Sequence, residues 1–170
     1  MINRIRIALV LLFVLWVTST ALAQGATATK PVLLTVNGEV ATSLKLTADD
    51  LAKLPRIKVQ AKDHDGKVSS FEGIELAEIL KLAGVKFGEH LRGKDLALYL
   101  VVSASDSYKA VFALPELDHA FTDQTILLAD RRDEKPLSEK EGPLRIVVPN
   151  EKRPARWVRQ VTELTIRRAP

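Results

Sequence analysis

Cysteine is absent from all 170 residues, and Met1 is the only methionine. The first absence excludes disulfides, thiol nucleophiles and thiolate metal ligands. Aromatic residues are sparse, at 5%, and the two tryptophans are Trp16 and Trp157. The three histidines, His64, His90 and His119, show neither helical nor finger-like ligand spacing. No Gly-x-Gly-x-x-Gly or phosphate-loop pattern occurs, and no serine sits in a Gly-x-Ser-x-Gly elbow. The segment Asp63-His64-Asp65-Gly66 starts like a calcium loop, but its glycine comes fourth and the closing glutamate is missing. The longest apolar run, Ile7–Val17, falls short of the about 20 residues that a membrane-spanning helix needs.

That run instead has the parts of a cleavable export signal. Arg4 and Arg6 precede it, and Ala21-Leu22-Ala23 follows as an A-x-A cleavage site. Residues 1–23 are therefore expected to be removed near Ala23/Gln24, leaving a periplasmic or secreted protein; an uncleaved anchor is the alternative. Losing both arginines lowers the formal charge of +4 to that of a near-neutral domain, for which nucleic acid is not an expected partner. Residues 24–31 read as a short flexible lead, and residues 32–168 as one domain long enough to bury its own core.

Many short strands are interleaved with a few short helices. Val32–Val36 reads as a strand ending in the hairpin signal Asn37-Gly38. Thr47 is placed to cap a helix over LTADDLAKLP, with Asp50 completing a capping box and Pro55 stopping it. Ile57–Ala61 and Lys67–Phe71 flank a second turn at Asp65-Gly66. In IELAEILKLAG, Leu76, Ile79, Leu80 and Ala83 share one helical face and Gly84 follows as a C-cap. Further strands are expected at 96–103, 108–114, 125–129, 144–148 and 164–167, with a short helix opened by Pro115. Without regular βα alternation, the fold class is α+β.

Two constellations carry candidate chemistry. GPLRIVVPNEKRPARWVRQV (142–161) joins an apolar strand to a basic loop with Lys152, Arg153 and Arg156, followed at once by Trp157. A planar aromatic beside guanidinium groups suits a flat anionic ligand, while a solvated, solubilising surface is the plain alternative. In VVSASDSYKAVFAL, Asp106 and Tyr108 either form an ordinary polar turn or project into a site where Asp106 accepts N–H bonds.

These segments resemble, in order, the small members of the sulfite-oxidase-type oxidoreductase molybdopterin-binding family. The matching pieces are LLTVNGEV, LTADDLAKLP, FEGIELAEILKLAG, DSYKAVFALPEL and GPLRIVVPNEKRPARWVRQV, together spanning about residues 32–167. The resemblance implies mixed and antiparallel sheets around a pterin-cofactor groove. It also implies that Trp157 stacks on or walls the ring, that Arg153, Arg156 and Lys152 meet anionic or carbonyl groups, and that Asp106, helped by Tyr108, accepts N–H bonds from the amino-pyrimidine edge. Catalytic relatives supply a cysteine thiolate to molybdenum at a position that falls near Ala61 here, and a methyl group cannot replace it. The usual Asp-Gly-Tyr is Asp106-Ser107-Tyr108. The expectation is an exported protein that binds a pterin or molybdopterin-like ligand, with no catalytic residue and no metal ligand assigned. The resemblance also allows it to report that ligand to the periplasmic domain of an inner-membrane signalling protein. The alternatives are a molybdopterin-dependent oxidoreductase with a non-cysteine metal environment and an interaction module that has lost its ligand.

Overall fold

The computed structural model describes residues 30–170. The expected export signal at 1–23 and most of the expected lead lie outside the described residues. Ten strands and two α-helices follow in the order β1 (Val32–Gly38), β2 (Leu44–Thr47), α1 (Ala48–Ala52), β3 (Ile57–Lys62), β4 (Val68–Glu75), α2 (Leu76–Leu82), β5 (Leu98–Ala104), β6 (Lys109–Ala113), β7 (Leu127–Arg132), β8 (Lys135–Pro136), β9 (Arg145–Val147) and β10 (Val161–Arg168). They form two sheets, β2-β1-β10-β5-β6 and β3-β4-β7-β8, with β9 also paired to β7. Only β1 and β10 pair in parallel among the described strands. The fold is the expected α+β class.

Side-chain parity explains how the sheets share a core. Leu34 and Val36 of β1, Leu164 and Ile166 of β10, Leu100 and Val102 of β5, and Ala110 and Phe112 of β6 alternate inward. They join Phe71 and Ile74 of β4, Leu127–Ala129 of β7 and Ile146 of β9 in one continuous cluster. The unbroken apolar run in β7 suits its place between β4 and β9. On α2, Leu76, Ala77, Ile79 and Leu80 are buried, as the helical spacing requires.

The helix ends match the sequence signals. The Thr47 side chain accepts the Asp50 N–H, while Asp50 accepts from the Thr47 N–H at 3.1 Å, closing the capping box. After α2, Gly84 takes φ +82° and Val85 N–H reaches back to Leu80 O at 3.1 Å. The first hairpin signal works differently. Asn37 and Gly38 stay within β1, opposite Thr165 and Ile166, and the chain turns only after them. Gly38 is required there for close approach, because a Cβ would lie 2.0 Å from Ile166 O. Asp65-Gly66 does turn β3 into β4, with Gly66 at φ +78°. The β7–β8 turn uses Asp133 and Glu134, at φ +48° and +64°, and carries no glycine that would have marked it. The segment opened by Pro115 forms a 3-10 turn over Leu114–Leu117.

The β5–β6 hairpin bears directly on the candidate site. Ala104 N–H donates to Tyr108 O at 2.9 Å and Ser107 N–H to Ala104 O at 3.1 Å. This geometry forces Ser107 to φ +71°, a region that glycine enters freely and other residues enter at a cost of roughly 1–2 kcal/mol. Glycine also loses more chain entropy on folding, which offsets part of that gain. Ser107→Gly is expected to stabilise the protein by roughly 0.5–1 kcal/mol. The check is a higher urea midpoint with an unchanged denaturant slope.

Candidate functional site

Three polar segments converge beside the ends of the sheets. The β3–β4 hairpin supplies Asp63 and His64, the β5–β6 hairpin supplies Asp106 and Tyr108, and the chain between β8 and β9 supplies Lys140. Residues 154–160, between β9 and β10, add Pro154, Ala155, Trp157, Val158, Arg159 and Gln160. Together with Arg145 they enclose a cleft of about 390 Å³, within the range of small-ligand sites.

Its floor is ionic. Arg145 is 1% exposed, yet it carries a full charge. Its two terminal nitrogens bind both carboxylate oxygens of Asp63, each at 2.9 Å, and Nη1 also pairs with Glu141. The Arg145 guanidinium lies 5.5 Å from the Phe71 ring centroid and 5.3 Å from that of Trp157, and these rings meet edge to face at 5.8 Å. Arg132 adds a bond from Nη1 to Asp63 at 3.3 Å and covers Phe71 from 5.4 Å. Burial opposes ionisation of Asp63, but the Arg145 guanidinium and the His64 backbone N–H outweigh it and hold the carboxyl well below its usual range.

The expected site residues divide into two groups. Trp157, Asp106 and Tyr108 line the cleft together; Arg156, Arg153 and Lys152 do not line it. Trp157 is 4% exposed and its indole N–H donates to Val148 O at 3.2 Å, so it forms a wall, not an open stacking face. The exposed aromatic is Tyr108, at 50%; its hydroxyl donates to Ala155 O at 2.7 Å and holds the ring in place. Asp106 Oδ1 accepts the Tyr108 N–H at 2.9 Å, whereas Oδ2 has no hydrogen-bond partner among the described residues. Arg156 is committed elsewhere. It pairs with Glu116 at 2.9 Å and with Glu151, donates to Val111 O at 3.2 Å, and stacks over Phe112 at 4.4 Å. Lys152 and Arg153 are exposed on the same loop, outside the cleft.

Sequence reading missed Asp63, Lys140, Arg145 as a floor residue, Arg159 and Gln160. Arg145 lay inside the singled-out segment, but its partner is 82 residues away, and no local pattern announces such a pair. His64 is exposed, as its turn position suggests, yet it also borders the cleft. Its Nδ1 lies 3.1 Å from Asp63 Oδ1 and 3.4 Å from Arg159 Nη2. A second groove of about 480 Å³ runs past Leu33, Leu51, Leu137 and Pro143. Among its charged residues, Arg56, Glu72 and Asp130 satisfy one another and Arg131 donates to Glu134 O.

Among the described residues no group of three or more His, Cys, Asp or Glu side chains is arranged to hold a metal ion. Ala61, near which the resemblance puts the relatives' thiolate, is buried in the core cluster and is not part of the cleft wall.

Removing one partner of a buried ion pair leaves the other charge stranded. Asp63→Asn is expected to cost about 3–5 kcal/mol, read from urea unfolding at pH 7. Because the folded-state pKa of Asp63 is depressed, its contribution is fully present above the unfolded value of about 3.9 and is lost as pH falls through the folded value. Wild-type stability is thus expected to fall below about pH 4 more steeply than that of Asp63→Asn.

The family model described as "Oxidoreductase molybdopterin binding domain" matches residues 25–170. Among solved structures, the chain is similar to the sulfane dehydrogenase SoxCD from Paracoccus pantotrophus, with a TM-score of 0.62 and 23% identity. That alignment covers 78% of this chain but 37% of the SoxCD chain, so the likeness is one of fold over part of a longer protein. No curated protein matches the chain. With all of its described residues matched, this chain belongs to the oxidoreductase molybdopterin binding domain family.

Proposed function

We propose that the protein is an exported, periplasmic binding protein that holds a pterin or molybdopterin-type ligand without catalysing redox chemistry. The observation that carries this reading is the pairing of Asp106 and Tyr108 on one rigid hairpin. Asp106 keeps one carboxylate oxygen free, and the Tyr108 ring is fastened through Ala155. A pterin's amino-pyrimidine edge presents adjacent N–H donors that a carboxylate accepts, and its flat ring stacks on an exposed phenol. Arg159 and Lys140 supply positive charge along the same cleft, with no carboxylate in ion-pair reach among the described residues. Lys152 and Arg153, on the loop beside it, add to the positive field met by an approaching anion.

Export rests on the Arg4/Arg6, apolar-run and A-x-A pattern. A role in reporting ligand to the periplasmic domain of an inner-membrane protein rests on the family resemblance. Family membership favours one other reading, a molybdopterin-dependent oxidoreductase with a non-cysteine metal environment. Against it stand the methyl group at position 61 and the engagement of both Asp63 oxygens by Arg145.

Titration of 6-hydroxymethylpterin, followed by its fluorescence anisotropy, tests the binding reading. Loss of a charge-assisted acceptor costs about 1.5–3 kcal/mol, so Asp106→Asn is expected to raise Kd by roughly ten- to hundredfold. Tyr108→Ala is expected to weaken binding more than Tyr108→Phe. Absence of pterin binding by the wild type would refute the reading. Stoichiometric molybdenum in protein purified from its native compartment would favour the oxidoreductase.

A further inference from the structure

Gln160 is the residue with the most unusual backbone in the cleft. It takes φ +49°, a conformation that L side chains avoid unless their surroundings compel it, and it lines the cleft. Gly or Asn is the ordinary choice for such a position. What glutamine adds is reach at both ends of its amide. Its Oε1 accepts the Ser105 hydroxyl at 2.9 Å and its Nε2 donates to Glu139 O at 2.8 Å. The backbone repeats the pattern: its N–H donates to Glu141 O at 2.9 Å and its carbonyl accepts the Ser105 N–H at 3.0 Å. One residue thereby makes two bonds to each of two separate segments.

Those segments carry the charges that face the ligand. Ser105 immediately precedes Asp106, and Glu139 and Glu141 flank Lys140. Neither charged side chain is restrained by an ion pair to a neighbour, so their placement depends on the backbone beneath them. That backbone is tied down by Gln160. Glycine would relieve the dihedral but lose both amide bonds, and asparagine is one methylene too short to keep both.

We propose that Gln160 is a positioning residue. It holds the Asp106 hairpin and the Lys140 loop in fixed relation, and so sets the cleft's width and its selectivity for ligand. The selectivity part rests on the pterin reading above; the clamp itself does not.

The test uses the chain from Gln24 on, after signal removal, in which Trp157 is the sole tryptophan. Three quantities are measured for wild type, Gln160→Gly and Ser105→Ala: acrylamide quenching of Trp157 without ligand, Kd for 6-hydroxymethylpterin, and the thermal midpoint. Gln160→Gly is expected to raise the quenching constant about twofold, as the cleft wall opens more often. It is also expected to raise Kd about tenfold while the midpoint moves by less than about 4 °C, since strain is relieved as bonds are lost. Ser105→Ala, which removes only the hydroxyl bond, is expected to shift quenching and Kd in the same direction by less, and it decides the matter should Gln160→Gly not fold. Unchanged quenching overturns the clamp even where pterin still binds. A Kd that moves only in step with the midpoint also overturns it, because a purely structural residue would behave that way. Wild-type protein that binds no pterin, while the quenching change appears, removes the pterin reading and leaves the clamp standing.

Discussion

The buried contact between Arg145 and Asp63 is the constraint on which the cleft depends. A guanidinium that is 1% exposed must be neutralised and hydrogen-bonded, because an uncompensated interior charge costs several kcal/mol. Asp63 does this with both oxygens, and Glu141 adds a second negative charge. The geometry is demanding, and it locks three chain segments together. It fastens β9 to the β3–β4 hairpin, draws in the loop that carries Glu141, and presents the flat guanidinium to Phe71 and Trp157. Trp157 is thereby held edge to face against Phe71, and residues 158–160 follow from it along the cleft wall.

The same arrangement explains what could be read from the chain and what could not. Local signals carried far: the Thr47 capping box, the α2 stripe ending at Gly84 and the Asp65-Gly66 turn depend on residues a few positions apart, and each is found in the structure. Asn37-Gly38 misled because the close approach of β10, more than 120 residues later, demands glycine there for space and not for a turn. The cleft was legible in outline. Asp106 and Tyr108 on the tight β5–β6 hairpin and Trp157 after the Pro154–Arg156 turn share the cleft. Arg156 was not legible, since its carboxylate partner Glu116 lies 40 residues away and its pairing with Glu151 depends on how the loop turns.

Arg156 shows how a basic loop can serve the fold in place of the ligand. Strand β6 is the edge of its sheet, and an open edge invites pairing with another chain. Arg156 donates to the outward carbonyl of Val111, while Tyr108 donates from the same strand's approach to Ala155 on the 3-10 turn Pro154–Arg156. The turn is thus bound to the edge from two directions. Edge protection and the fixing of the Tyr108 ring are one structural act, and they use the charge that the sequence seemed to offer to a ligand.

The alternation of β3 sets what lies next to the ionic floor. Ala61 points into the core, and Asp63, two residues on, shares its parity and turns inward to meet Arg145. The groups proposed to hold a pterin come from elsewhere: the β5–β6 hairpin, the Lys140 loop and residues 157–160. None of their hydrogen bonds passes through position 61. A small apolar side chain there packs into the hydrophobic cluster, whereas the ionic floor beside it depends on the guanidinium–carboxylate pair. Position 61 thus serves the core, while each of the proposed ligand contacts stands on other segments of the chain.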